Sequence, residues 1–375
     1  MKFLMPTLVY SEENCVLSHS AELASLGSRA LIVTGKSSAR RCGAFADVTA
    51  ALDKHGVSWV EFAEVEENPS VETIMRARQV GCKVKADFVI GIGGGSPMDA
   101  AKAIALMIRH HDRDWDYLYD KTAETSTLPI AEIPTTAGTG SEVTAVSVLT
   151  RHDKHVKGSI PHKIFADLAL IDGKYLSGMP AQILANTTMD ALCHLYESYI
   201  HSAATDFSRM CAEAGIKVWA RSKDIVLGKR EASSEDYQNM MNASCMAGMA
   251  IAHTATSMPH ALSYRLTYSA HMAHGKACGY FLAGYLREAD PVEVNYILSL
   301  AGFKTVEELE EYYVATCGRD EVPMEILEQS VEEVFANKGK CKLRLSPSTK
   351  RSSEELPESE RAGYDHDNEK AFISK

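Results

Sequence analysis

The chain has 375 residues, enough for two domains, and its 45% hydrophobic and 24% charged content is that of a globular protein. A net charge of −11 with no basic block to offset it argues against a nucleic-acid binder. No apolar run approaches the roughly 20 residues that span a membrane, the opening "MKFLMPTLVYSEEN" lacks secretory-signal features, and the nine cysteines contain no CxxC pair, so a cytoplasmic setting is expected.

In chain order, "RALIVTG" (29–35) reads as a β-branched strand ending at Gly35. "AFADVTAALDKHG" (44–56) has helical spacing. "VSWVEFAEV" (57–65) reads as a second strand and "SVETIMRARQVGCKVK" (70–85) as a second helix. "ADFVIGIGGG" (86–95) and "TLPIAEIPTT" (127–136) complete four strands. Such alternation predicts an α/β domain with a parallel sheet covered on both faces. Beyond about residue 180 strand signals fade. "AQILANTTMDALCHLYESYIHS" (181–202), "SRMCAEAGIKVWARSKDIVLG" (208–228) and "SEDYQNMMNASCMAGMAIAHT" (234–254) all carry helical spacing. The expected division is residues 1–178 as an α/β domain and 179–375 as an all-helical one, parting near "SGMPAQ". The polar tail after about residue 343 fits neither pattern.

Two small-residue loops follow strands. In "GIGGGSPMDAAK", Gly93, Gly94 and Gly95 lie between strand and helix, Ser96 suits the N-cap and Pro97 the first turn. Free N–H groups and the helix dipole there favour a diphosphate, although a plain strand–helix turn reads the same way. In "PTTAGTGSEVT", Thr135, Thr136, Thr139 and Ser141 offer hydroxyls between flexible glycines. The two loops together would form one crevice at the carboxyl ends of neighbouring strands. After the first strand, "TGKSS" puts Gly35, Lys36 and Ser37 where dinucleotide folds commonly keep a carboxylate for the ribose of NAD. Hydroxyls and a cation suit a 2′-phosphate instead, which leans towards NADP, with NAD still open.

In "TTMDALCHLYESYIHS", Asp190 and His194 are four apart and share one helical face. Downstream, "SMPHALSYRLTYSAHMAHGKACG" offers His260 and His274. One carboxylate and three imidazoles suit divalent iron, or zinc. With fourteen histidines in the chain the pair at 190 and 194 also fits a structural hydrogen bond, and spacing leaves His253 and His271 in competition as ligands.

Taken together, "GGGSPMDAAK", "PTTAGTGSEVT", "MDALCHLYESY" and "HALSYRLT…HGKACG" resemble the iron-containing (group III) alcohol dehydrogenases over about residues 5 to 345. The resemblance implies the dehydroquinate-synthase-like fold of that family: a dinucleotide-binding domain, a helical domain and an active site between them. It implies Asp190, His194, His260 and His274 as metal ligands, and settles against His253 and His271. It sets Gly93, Gly94, Gly95 and Ser96 at the diphosphate, with Asp99 in the same motif. Thr135, Thr136, Thr139 and Ser141 would line the nucleotide crevice, and Lys157 would reach the cofactor ribose. The implied reaction is hydride transfer between NAD(P) and a small alcohol or aldehyde, by a homodimer or larger homo-oligomer. His260 and Tyr264 are the expected catalytic groups. Tyr264 stands where many relatives carry a further histidine, and Arg265 where they often have proline; a cation there would favour an anionic aldehyde, whereas a surface arginine would not. Dehydroquinate-synthase-like or polyol-phosphate chemistry needs a basic cluster that the helical half lacks. A non-catalytic binding or structural role is the other rival.

Overall fold

The computed structural model describes residues 3–154 and 156–336; the tail expected after about residue 343 lies outside them. The strands are β1 (Leu8–Ser11), β2 (Arg29–Gly35), β3 (Ser58–Val65), β4 (Phe88–Gly93), β5 (Ile130–Pro134), β6 (Val148–Arg151), β7 (Val156–Ser159) and β8 (Leu168–Ile171). The helices of the first half are α1 (Cys15–Ser18), α2 (Ser20–Ala24), α3 (Ser38–Arg41), α4 (Ala44–Lys54), α5 (Val71–Val84) and α6 (Gly95–Arg109). Those of the second half are α7 (Ala181–Ile200), α8 (Asp206–Trp219), α9 (Lys223–Val226), α10 (Ser234–Thr254), α11 (Met258–Ser269), α12 (His274–Arg287), α13 (Pro291–Leu300), α14 (Val306–Cys317) and α15 (Met324–Ala336).

Six strands form one parallel sheet in the order β1-β8-β5-β4-β2-β3. Alternation along β2 explains the layers. Leu31 and Val33 pack with Ile74 of α5 and Ile104 of α6, whereas Ala30 and Ile32 pack with Val48 and Leu52 of α4. Every residue of β4 and β5 is buried, as a strand covered on both faces requires. From β2 the chain steps outward to β3, then returns to place β4 on the other side of β2. That reversal opens a crevice at the carboxyl ends of β2 and β4, and both glycine-bearing turns flank it. β6 and β7 form an antiparallel hairpin beside the sheet.

The second half packs around α7, in which every residue from Thr188 to Ile200 is buried. A helix buried on all sides must be enclosed by neighbours, and α8, α10, α12 and α14 supply that enclosure. Thr205 and Ser233 begin α8 and α10 with reciprocal capping boxes. Among the described residues, no helix is long and apolar enough to cross a membrane.

One buried charge crosses the sheet interior. Glu132 of β5 lies 3.9 Å from Lys102 of α6, and both side chains are fully buried. Burial pushes the Glu132 carboxyl up from 4.5 to about 8, against the pull of Lys102. The folded chain therefore holds a proton that the unfolded chain releases. Stability from this site is full below about pH 4.5 and is lost as the pH rises towards 8. Glu132→Gln is expected to remove this loss, raising stability at pH 8 relative to pH 5 by more than about 1 kcal/mol compared with the parent. Denaturant titrations at the two pH values check it. Equal pH slopes for parent and variant would mean that Glu132 is ionised throughout.

Candidate active site

Two loops close on each other above the carboxyl edge of the sheet. Gly93 has φ +153°, and a Cβ there would lie 2.6 Å from Pro97. Side chains at Gly94 and Gly95 would meet Thr136 at 3.1 Å and Thr139 at 2.9 Å. Glycine is what allows this approach, which Thr135 N seals by donating to Gly93 O at 2.8 Å. The N-cap of α6, Gly94, makes no side-chain cap, so the helix opens with N–H groups suited to a phosphate. Ser96 Oγ at the same turn accepts from Asn68 N at 3.1 Å.

Behind the loops, Lys102 Nζ donates to Ser141 O at 2.7 Å, Ser141 Oγ at 2.9 Å and Val146 O at 3.1 Å. Asp99 accepts from Ser141 Oγ at 2.6 Å and from Val148 N at 2.8 Å. Asp99 and Ser141, both expected at the cofactor, thus brace the loop that carries Thr135, Thr136 and Thr139. At the end of β2, Gly35 is partly buried and Ser37 exposed. Glu61 of the neighbouring β3 accepts from Thr34 Oγ1 at 3.1 Å and pairs with Arg40.

Lys157 and Tyr264 span the gap between this crevice and the helical half. The Lys157 ammonium lies 5.8 Å from the Tyr264 ring centroid. Burial holds that ammonium below its usual pKa, against the pull of Asp99. The Tyr264 ring stacks on His274 with centroids 6.2 Å apart. Burial raises its phenol pKa, so at neutral pH the hydroxyl keeps its proton.

The expected ligands converge from three helices. α7 presents Asp190 and His194, α11 presents His260, and α12 begins with His274. Asp190 Oδ1 is 3.3 Å from His260 Nε2 and 3.8 Å from His274 Nε2. His260 Nδ1 donates to Glu197 Oε1 at 2.5 Å, which turns its Nε2 lone pair towards Asp190. The His194 ring stacks on His260 at 4.2 Å, and its Nδ1 donates to Gly138 O at 3.2 Å, which leaves Nε2 free to ligate. Asp190 Oδ1 and His260 Nε2 are buried without a hydrogen-bond partner. Such atoms are costly unless something cationic joins them, and an oxygen with imidazoles is a donor set that fits a divalent metal. Burial opposes ionisation of Asp190, yet the rings of His194, His274 and His260 hold its carboxyl well below the usual range. Burial lowers the His274 pKa to about 3, so its ring is neutral and able to ligate.

The competing histidines are engaged elsewhere. His253 donates from Nδ1 to Met249 O at 2.8 Å and accepts from Leu4 N at 3.1 Å. His271 is exposed. Arg265 pairs with Glu333 of α15, as a surface arginine would. Sequence reading missed two groups. Glu197 is the i+7 member of the face that carries Asp190 and His194. Cys278 sits one turn after His274, with a donor atom within 4.8 Å of those of Asp190, His260 and His274. Both positions follow from helical periodicity once Asp190 and His274 are singled out.

A glycine sets the helix spacing. A Cβ on Gly275 would lie 2.0 Å from Asn186 O and 2.8 Å from Asp190 Cβ, and one on Gly279 would lie 2.7 Å from Met189 Cγ. The histidine before Gly275 reaches Asp190 because α12 touches α7 backbone to backbone.

Comparison with known proteins places this geometry. Residues 6–173 match the model described as iron-containing alcohol dehydrogenase, and residues 184–315 match that of the Fe-containing alcohol dehydrogenase family, C-terminal. A long-chain-alcohol dehydrogenase of Geobacillus thermodenitrificans is 32% identical over 84% of this chain and 86% of its own length. An NADPH-dependent butanol dehydrogenase of Clostridium saccharobutylicum is 30% identical over 75% of this chain and 72% of its own. Among solved structures, an iron-containing alcohol dehydrogenase of Thermotoga maritima superposes with a TM-score of 0.83 at 35% identity, covering 94% of this chain and 97% of the other. A sulfoacetaldehyde reductase of Bifidobacterium kashiwanohense, solved with NAD+, superposes with a TM-score of 0.81 at 25% identity, covering 93% and 96%. The chain belongs to the iron-containing alcohol dehydrogenase family and is an oxidoreductase acting on the CH–OH group of alcohols.

Proposed function

We propose that the chain is a metal-dependent, NAD(P)-linked alcohol dehydrogenase or aldehyde reductase for a small primary alcohol or aldehyde. Asp190, His194, His260 and His274 hold divalent iron or zinc. The observation that carries this reading is the buried, unpartnered Asp190 Oδ1 facing the unpartnered Nε2 of His260. When bound, the metal supplies a Lewis acid for the substrate oxygen and the nicotinamide accepts or gives the hydride. The protein's own groups do the rest. Glu197 and the Gly138 carbonyl fix the His260 and His194 rings, so the ligands need no reorganisation. The protonated Tyr264 hydroxyl donates the proton that aldehyde reduction consumes, and takes it back in alcohol oxidation. Gly93, Gly94, Gly95 and Ser96 hold the diphosphate at the α6 N-terminus, and Lys157 supports the ribose.

The turn after β2 favours NADP. Gly35 and Ser37 leave room for a 2′-phosphate, Lys36 adds a cation, and Glu61 is already paired with Arg40. The test is metal content of protein purified without oxygen, with oxidation of NADH and NADPH measured against short aldehydes. One iron or zinc per chain with faster NADPH turnover is expected. No metal and no turnover after iron is added back would overturn the reading. Gly35→Asp restores a ribose carboxylate at a position where a Cβ clears Val65 O by 3.4 Å. It should shift the NADPH-to-NADH ratio towards NADH by about tenfold; an unchanged ratio would remove the argument from this turn.

A further inference from the structure

We propose that Thr150 is the positioning residue for Lys157: it locks the β6–β7 hairpin to the loop between β3 and α5 and so holds the lysine over the ribose nearest the metal centre. The proposal rests on the reading of Lys157 as a ribose ligand and explains what places it there.

Lys157 rides on a hairpin of four residues per strand, too short to hold its own position in water. Its attachments decide where it lies. At its base, Ser147 Oγ donates to Asp99 O at 2.7 Å and Val148 N to Asp99 Oδ2 at 2.8 Å, which fastens the arm to α6. Thr150 makes the second attachment. Its N–H donates to Pro69 O at 2.8 Å, its hydroxyl donates to Asn68 O at 2.9 Å, and it bridges to Ser70. Thr150 is also the register partner of Lys157. Residues paired in this way project from one face of an antiparallel ladder, with Cβ atoms about 5 Å apart. The loop that holds Thr150 therefore lies on the side to which the lysine stem projects. That stem ends 5.8 Å from the Tyr264 ring centroid, and the ring stacks on His274. The ribose within its reach is the nicotinamide one, not the adenosine one at the end of β2.

The loop is itself fixed at both ends. Glu66 accepts from Ser70 N at 2.8 Å, Ser70 Oγ at 2.7 Å and Thr73 Oγ1 at 2.8 Å, which ties it to the start of α5. Asn68 has φ +59°, in the left-handed region that asparagine tolerates better than most side chains. That conformation sends its N–H to Ser96 Oγ at 3.1 Å and its carbonyl to Thr150. Ser96 accepts this bond and keeps its own hydroxyl proton for the diphosphate. One residue thus links the diphosphate loop to the arm that carries Lys157, and the two halves of the dinucleotide site keep a fixed separation.

The test uses the full chain with NADPH and with ADP, which fills the adenosine and diphosphate positions but lacks the second ribose. Thr150→Val keeps the shape and removes the hydroxyl. It should weaken NADPH binding about tenfold, raise the KM for NADPH more than it lowers kcat, and leave ADP affinity unchanged. Thr150→Ser restores the donor and should bind NADPH within about twofold of the parent. Lys157→Met should also weaken NADPH, and adding Thr150→Val to it should cost nothing further, because the threonine acts through the lysine. Unchanged NADPH affinity in Thr150→Val, equal losses for NADPH and ADP, no rescue by serine, or full additivity with Lys157→Met would each overturn the positioning role and leave the ribose reading standing. Parental NADPH affinity in Lys157→Met would overturn the ribose reading and the proposal with it.

Discussion

His260→Ala is expected to empty the metal centre and lower kcat/KM for aldehyde reduction by at least about a thousandfold. The size follows from what a Lewis acid contributes, several kcal/mol of charge stabilisation at the substrate oxygen, with each tenfold in rate worth 1.36 kcal/mol. His260 has two roles that the substitution removes together. Its Nε2 faces Asp190, and its Nδ1–H donates to Glu197, which is fully buried and otherwise accepts from Ser257 N. Stranding that carboxylate should cost about 3–5 kcal/mol of stability. The double variant with Glu197→Gln separates the roles. It should recover much of the thermal midpoint but neither metal nor turnover. Metal analysis, kinetics and thermal unfolding of parent, single and double variants decide it. If the single variant kept its metal and its rate, the centre would not lie at these residues.

Much of this architecture is readable before folding, for reasons that are local. β2, β4 and β5 are predominantly apolar, with Glu132 the exception in β5, because both of their faces are covered, and each ends in glycine or proline where the chain must turn. β1 and β8 escaped notice because four residues each, "LVYS" and "LALI", carry too little pattern. They pair across some 160 residues of intervening chain. The β6–β7 hairpin is equally short, and its alternation is broken by Gly158. Within the site, Asp190 and His194 announce themselves as polar residues on a helix buried from Thr188 onward. Glu197 lies on the same face but reads as an ordinary glutamate until His260 arrives from α11, 63 residues later. Asp99 illustrates the converse. The diphosphate motif points to it, and its carboxylate holds Ser141 and Val148. Motif membership is legible in sequence; the direction in which a side chain is spent is tertiary.

Gly275→Ala should cripple the enzyme, although the residue is not one of the proposed ligands. The added methyl would sit 2.0 Å from Asn186 O and 2.8 Å from Asp190 Cβ. The first is helix backbone and the second the root of a buried side chain, so neither yields without moving α7. Relief must come from α12 sliding away by about an ångström, and His274, one residue earlier, moves with it. Overpacking of this kind costs about 1–3 kcal/mol, and misplacing a catalytic constellation by 1 Å costs about a hundredfold in rate. The expected result is a lower thermal midpoint, weaker metal retention and kcat/KM down by about a hundredfold or more. Gly284→Ala is the matched control on the same helix, where a Cβ meets nothing within 4 Å. Alanine there should stabilise by about 0.5–1 kcal/mol and leave turnover intact. Should both variants behave alike, helix propensity rather than the α7–α12 contact would govern this segment, and the glycine after His274 would need another explanation. The contrast isolates the physical point: His274 is positioned by the absence of a side chain beside it.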